Sequence, residues 1–150
     1  MLIHQTFKYK FTIVNLLING QNTGMKLQII QPQEVEVFYI LPAIRSRMAS
    51  AMKEQGMIQK NIAKLLCVQE STISQYLSSK RAADVKFNDY VDKEIAASVR
   101  KIKTKEDMIR ETQHILQMVR DEKILCKVHE EIADVPAGCD VCFCKHEEGK

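Results

Sequence analysis

Between residues 35 and 52 the apolar side chains Val37, Ile40, Leu41, Ile44, Met48, Ala51 and Met52 recur at steps of three and four. That is the spacing of one buried stripe on an α-helix. Pro42 suits the first turn of this main helix, where an amide N–H would go unpaired in any case, and Gly56 suits its C-terminal stop. Two short helices are predicted next, over 58–66 and 69–77, separated only by Cys67 and Val68. Residues 78–81, Ser-Ser-Lys-Arg, then leave the second of them in a polar loop.

Further along, Phe87, Tyr90, Val91, Ile95, Val99 and Ile102 mark a fourth amphipathic helix. Met108, Ile109, Thr112, Ile115, Leu116 and Val119 mark a fifth, with a break near Lys103 and Thr104. Thr104 followed three residues later by Asp107 reads as the N-terminal cap of that fifth helix. No strand-period segment falls between 37 and 121. The expected fold class is all-α: a helix-turn-helix (phage-repressor-like) domain followed by two long helices and a small cysteine-rich tail. The expected division is 25–85 for the helix-turn-helix domain, 86–121 for a helical dimerisation or linker region, and 122–150 for the tail.

The first 24 residues fit none of these segments. Lys8 and Lys10 precede an apolar stretch over 11–18, as in an export signal, but Asn15 interrupts it and 19–22 offers no small-residue cleavage site. Residues 1–24 are therefore expected to be a non-native or disordered extension. The plainer alternative is an arm resembling a β-hairpin, with 7–11 as its alternating strand.

Composition narrows the class. The 150 residues are 45% apolar and 27% charged, enough to bury a core. No run of about 18 apolar residues exists to span a membrane, so a cytoplasmic location is expected. The net charge of +3 is small, but residues 45–86 hold eight Lys/Arg against three Asp/Glu, a local +5. Residues 87–150 hold eleven against fourteen, a local −3. A basic segment thus coincides with the two short helices.

Within that segment, Ala63 is the small residue where two helices can cross, and Ile62, Leu66, Val68, Ile73 and Leu77 form the inner faces. The outer face of the second short helix carries Gln69, Glu70, Ser71, Thr72, Ser74 and Gln75. A solvated helical hairpin would usually show Lys and Glu there. Short polar side chains, followed at once by Lys80 and Arg81, instead suit base edges and phosphates.

The stretch 41–45, Leu-Pro-Ala-Ile-Arg, with 59–66, Gln-Lys-Asn-Ile-Ala-Lys-Leu-Leu, and 74–81, Ser-Gln-Tyr-Leu-Ser-Ser-Lys-Arg, resembles the XRE/Cro-type helix-turn-helix transcriptional regulators over about residues 40–82. In particular it is similar to a group of small archaeal and bacterial predicted regulators with a cysteine-rich C-terminus. That family usually has Gly where this chain has Cys67. The departure implies about 1 kcal/mol of strain or a slightly different turn.

The resemblance implies that the second short helix enters the major groove of double-stranded DNA. Gln69, Ser71, Thr72 and Gln75 would then meet bases, and Ser74 lies on the same face. Gln59, Lys60, Lys80 and Arg81 would hold phosphates, while Glu70 would read a cytosine amino group or point away. One such unit makes few contacts, so a homodimer is expected, with Met108, Ile109, Leu116 and Val119 as candidate dimer contacts. Packing on the helix-turn-helix core is an equally good reading of those four.

Five cysteines, four of them in the last 25 residues, read first as a metal or redox site. Cys139 and Cys142 form a C-x2-C knuckle, with Pro136 and Gly138 favouring the turn before it, and Cys126 and His129 form a C-x2-H pair upstream. The fourth ligand beside Cys126, Cys139 and Cys142 is either His129, which suits zinc, or Cys144, which suits zinc or an iron-sulfur cluster equally. Free thiols in a frayed tail and a reversible Cys139–Cys142 disulfide are the other readings. Cys67 is expected to be a small buried residue.

The expected function is a sequence-specific DNA-binding transcriptional regulator, dimeric, whose cysteine site senses redox or iron. The alternative is a metal-binding helical adaptor for a protein partner, in which the helix-turn-helix is only a packing unit. An enzyme is not expected, because no Gly-rich phosphate loop, nucleophile elbow or zinc-protease helix occurs.

Overall fold

A computed structural model describes residues 31–78 and 85–143. The expectations for residues 1–24, and the positions of Lys80, Arg81 and Cys144, lie outside the described residues. The architecture is all-α, with no β-strand among the described residues.

The longest helical stretch begins earlier than the periodicity predicts. Helix α1 (Pro32–Val35) runs through a π-helical turn (Glu36–Ile40) directly into α2 (Leu41–Glu54). Pro42 therefore lies in the first turn of α2, as expected, but α2 itself continues a rod that starts at Pro32. A proline there has no N–H, and its ring would crowd the Phe38 carbonyl of a regular helix. The wide turn just before it, closed by Leu41 N–H donating to Glu36 O, is where the rod adjusts.

The rod ends at Gly56, whose φ of +85° is left-handed. Met57 N–H then donates back to Met52 O at 3.1 Å, the long bond that closes such an end. Helix α3 (Gln59–Leu65) ends the same way, with Val68 N–H donating to Ala63 O at 3.0 Å. In this second case the left-handed residue is Cys67, at φ +54°. The chain thus makes with Cys67 a left-handed turn of the kind that favours Gly, and carries the Cβ strain. Cys67 is also exposed, contrary to the expectation of a buried hydrophobe.

Helix α4 (Glu70–Leu77) follows, then α5 (Asp89–Val99), α6 (Lys105–Asp121), α7 (Ile124–Ile132) and a 3-10 turn (Val141–Phe143). Asn88 caps α5 by accepting from Val91 N–H at 2.9 Å, and its amide donates to Glu122 Oε2 at 2.8 Å, tying that start to the end of α6. Thr104 and Asp107 form the expected reciprocal cap: Asp107 N–H donates to Thr104 Oγ1 and Thr104 N–H to Asp107 Oδ2. The same carboxylate accepts from Lys103 N–H and Arg110, and these donors hold its pKa below 3.8. Glu122 and Lys123 separate α6 from α7, and Lys123 makes the break in left-handed conformation.

Helix α2 is the hub, packed by α3, α4, α5 and α6, while α7 packs on α1 and α6. One hydrophobic cluster runs through all of them, from Val35 on α1 through Ile44, Met48, Ile62 and Ile73 to Val128 on α7. Full burial of one such side chain stabilises by about 1.5–3 kcal/mol. Met108, Leu116 and Val119 belong to this cluster and face inward, so of the four candidate dimer contacts only Ile109 is exposed, at 57%. Tyr90 likewise turns outward from α5 instead of joining the core.

Candidate nucleic-acid interface and cysteine-bearing tail

Helices α3 and α4 are short, and each buries one side. Ile62 and Ala63 on α3, and Ile73 and Tyr76 on α4, face the core. Leu66 at the end of α3 is fully buried, and Val68 and Leu77 pack partly against the same cluster. Ala63 leaves room for α4 beside α3, where a larger side chain would separate them.

What remains outward on the pair is polar. Lys60, Asn61 and Lys64 are exposed on α3; Gln69, Glu70, Ser71, Ser74 and Gln75 are exposed on or beside α4, and Thr72 is half-buried. The structure brings all the predicted α4 residues onto one surface segment and adds Asn61 and Lys64, which the reading from sequence passed over. The signal for Lys64 was its place four residues after Lys60, one helical turn away. Glu70 occupies the first turn of α4, where its negative charge is favourable to the helix.

Gln59 is half-buried between the two helices. Its Nε2 donates to Glu70 O at 2.9 Å and to Ser74 Oγ, and Ser74 Oγ in turn donates to Glu70 O at 3.3 Å. A carbonyl oxygen can only accept, so the amide orientation follows from its partner. Both Nε2 hydrogens are therefore engaged, and what the side chain has left is an acceptor oxygen. In this arrangement Gln59 straps α4 to α3 instead of offering a donor to phosphate, and Ser74 is engaged with it.

The cysteines of the tail fall in two places. Cys126 and His129 lie one turn apart on α7, both half-buried. His129 Nε2 is buried and has no hydrogen-bond partner among the described residues. Beyond α7 the chain folds back: Gly138 N–H donates to Glu130 Oε1 at 3.0 Å, and Cys139 N–H closes a turn onto Pro136 O at 3.1 Å. Gly138 takes φ +71°, left-handed backbone that suits Gly in such a turn. Cys139 is half-buried and Cys142 exposed, and none of the described cysteines is paired.

Burial pushes the Cys126 thiol above its ordinary 9.0; Cys142, Cys139 and Glu130 push the same way, and Lys123 opposes them. Thiolates and an imidazole are the donor chemistry of zinc sites, and thiolates that of iron-sulfur sites. Among the described residues, however, no three His, Cys, Asp or Glu side chains stand close enough together to hold a metal ion. Cys126 with His129, and Cys139 with Cys142, are thus two separate pairs.

No protein-family model, no curated protein and no solved structure matches this chain. No helix among the described residues is long and apolar enough to cross a membrane.

Proposed function

We propose that this chain is a sequence-specific, double-stranded-DNA-binding transcriptional regulator of the XRE/Cro helix-turn-helix type, working as a cytoplasmic homodimer by binding rather than catalysis. The observation that carries the reading is the outward side of α4. It presents short polar side chains from a helix strapped to α3 by Gln59 and seated on α2 by Ile73 and Tyr76. Such a helix can lie in a major groove, with Ser71, Thr72, Gln69, Glu70 and Gln75 toward base edges. Lys60 and Lys64, with Lys80 and Arg81 a few positions further along the sequence, supply attraction to phosphates.

Anisotropy titration of a labelled duplex at several salt concentrations tests this. The expected result is a logarithmic fall of affinity with salt, steeper as more phosphates are contacted, together with preference for one sequence over a random duplex. A protein-binding adaptor would show neither.

We further propose that the tail binds zinc or an iron-sulfur cluster and links DNA binding to redox state or iron. The buried, unpartnered Nε2 of His129 one turn from Cys126 supports a metal at this end, with Cys139 and Cys142 closing over it and Cys144 as the alternative fourth ligand. Metal and sulfide analysis of protein purified without oxygen tests it. Iron with sulfide would make the site a cluster, about one zinc per chain a structural site, and neither would refute it.

A further inference from the structure

We infer that the turn joining α5 to α6, together with the start of α6, is a docking surface for an acidic peptide segment of a partner protein, one that carries an apolar anchor between its carboxylates. The inference goes beyond the DNA-binding reading and does not depend on it.

Residues 87–150 are acidic as a whole, with eleven Lys/Arg against fourteen Asp/Glu. Yet four of those eleven, Arg100, Lys101, Lys103 and Lys105, fall within 100–105, a stretch with no acidic residue. Cations so close together repel one another, and the fold uses only one of them. Lys101 Nζ lies 3.9 Å from Glu94 Oε1 and 3.7 Å from Glu111 Oε2, across the seam of α5 and α6. Ile102 is buried and plugs the turn into the core, while all four basic residues are exposed. Arg100, Lys103 and Lys105 have no ion-pair partner among the described residues.

The backbone that carries these cations is already ordered. Lys103 N–H and Thr104 N–H both donate to Asp107 Oδ2, and Arg110 donates to Oδ1 of the same carboxylate at 2.9 Å. A partner therefore loses little free energy in fixing the turn. One helical turn beyond Lys105, on the same line of α6, lies Ile109, 57% exposed. Its place beside the cations decides the class of partner. A phosphate backbone has nothing apolar to offer Ile109, whereas carboxylates on either side of a Leu or Phe match both features. Glu106, exposed next to Lys105, further disfavours a uniform run of phosphates.

The experiment is fluorescence anisotropy of the full chain with a labelled synthetic peptide in which Glu and Asp alternate with Leu and Phe. Its Gln/Asn counterpart, polyglutamate and a random DNA duplex are the comparison probes. The expected result is saturable binding of the alternating peptide that weakens with salt, and little binding of the Gln/Asn peptide or polyglutamate. Ile109→Ser should weaken it roughly tenfold. Lys103→Ser with Lys105→Gln should weaken it chiefly by slowing association and should flatten the salt dependence. All three side chains are exposed, so the variants should keep the wild-type circular dichroism spectrum and melting temperature. Absence of binding to the alternating peptide, or binding that none of these variants changes, would overturn the inference. So would affinity for polyglutamate or the random duplex that falls in Lys103→Ser with Lys105→Gln but not in Ile109→Ser, which would mark a general anion surface. Each of these outcomes leaves the sequence preference of duplex binding, and with it the DNA-binding reading, to stand or fall on its own titration.

Discussion

Arg120 grips Glu36 with two hydrogen bonds, Nε to Oε1 at 2.6 Å and Nη2 to Oε2 at 2.8 Å, across 84 positions of sequence. The pair fastens the π-helical turn of the N-terminal rod to the end of α6, and the Glu36 hydrogen bond raises the Arg120 pKa. The Glu36 side chain is 12% exposed and the Arg120 side chain 38%, so the carboxylate is the group that cannot return to water. Arg120→Ala should destabilise by about 2–3 kcal/mol, below the figure for a fully buried pair because one partner is partly solvated. Replacing both residues by Leu should restore most of the loss. Urea melts of the two single variants and the double variant measure the coupling; additivity would show that the pair contributes nothing specific.

Asp107 gives a pH dependence. Its carboxylate accepts from Lys103 and Thr104 N–H and from Arg110, which lowers its pKa in the folded chain relative to the unfolded value near 3.8. A depressed folded pKa means that its contribution is fully present above the unfolded value and is lost as pH falls through the folded one. The melting temperature of the wild type should therefore fall more steeply below about pH 4 than that of Asp107→Ala, which begins lower at neutral pH. Parallel curves for the two proteins would show that the cap does not depend on the charge.

Cys67→Gly should stabilise the chain. Gly removes the Cβ from a residue at φ +54°, and among the described residues the exposed Cys67 thiol makes long contacts of 3.8–3.9 Å to the Leu65 and Lys64 carbonyls. The gain is about 1 kcal/mol or slightly less, since Gly also has more freedom to lose from the unfolded state. Cys67→Val should lose stability, because branching at Cβ worsens the same clash. Thermal melts of the three proteins check the order, and a loss in Cys67→Gly would place the turn's stability in the thiol.

Local signals and distant ones differed in how legible they were. The two short helices, the stop at Gly56 and the Thr104–Asp107 cap were readable because each is written within a few residues by period and capping chemistry. Pro42 does lie in the first turn of its α-helix, but the π-helical turn that joins this helix to the one before it carries no local signature in the sequence. Met108, Leu116 and Val119 are apolar on one face, and periodicity alone does not say whether a second copy or the rest of the same chain covers that face. Glu36 with Arg120, and Gln59 with Ser74, are pairings between separate elements that no window of sequence contains. At the candidate interface the outward residues were legible as a group, but Gln59 and Ser74 change from contacts to a strap only once the two helices are placed together.

The tail supplies the last prediction, on metal removal. Helix α7 does not depend on an ion for its packing: Ile124, Leu125 and Val128 are buried in the same cluster as α1 and α6. In a small zinc finger the metal supplies most of the folding free energy, and a chelator unfolds the chain. Here a chelator should release the segment after Ala133 while leaving the helical circular dichroism signal nearly unchanged. Cys139→Ser should abolish metal retention with a similarly small effect on the main melting transition, whereas Leu125→Ala, which empties space in the core, should lower that transition by an amount corresponding to about 2–4 kcal/mol. Limited proteolysis of metal-loaded and chelated protein would locate the change. Cleavage confined to residues beyond 133 is expected, and cleavage spreading into α6 on chelation would show that the metal holds the body of the fold as well.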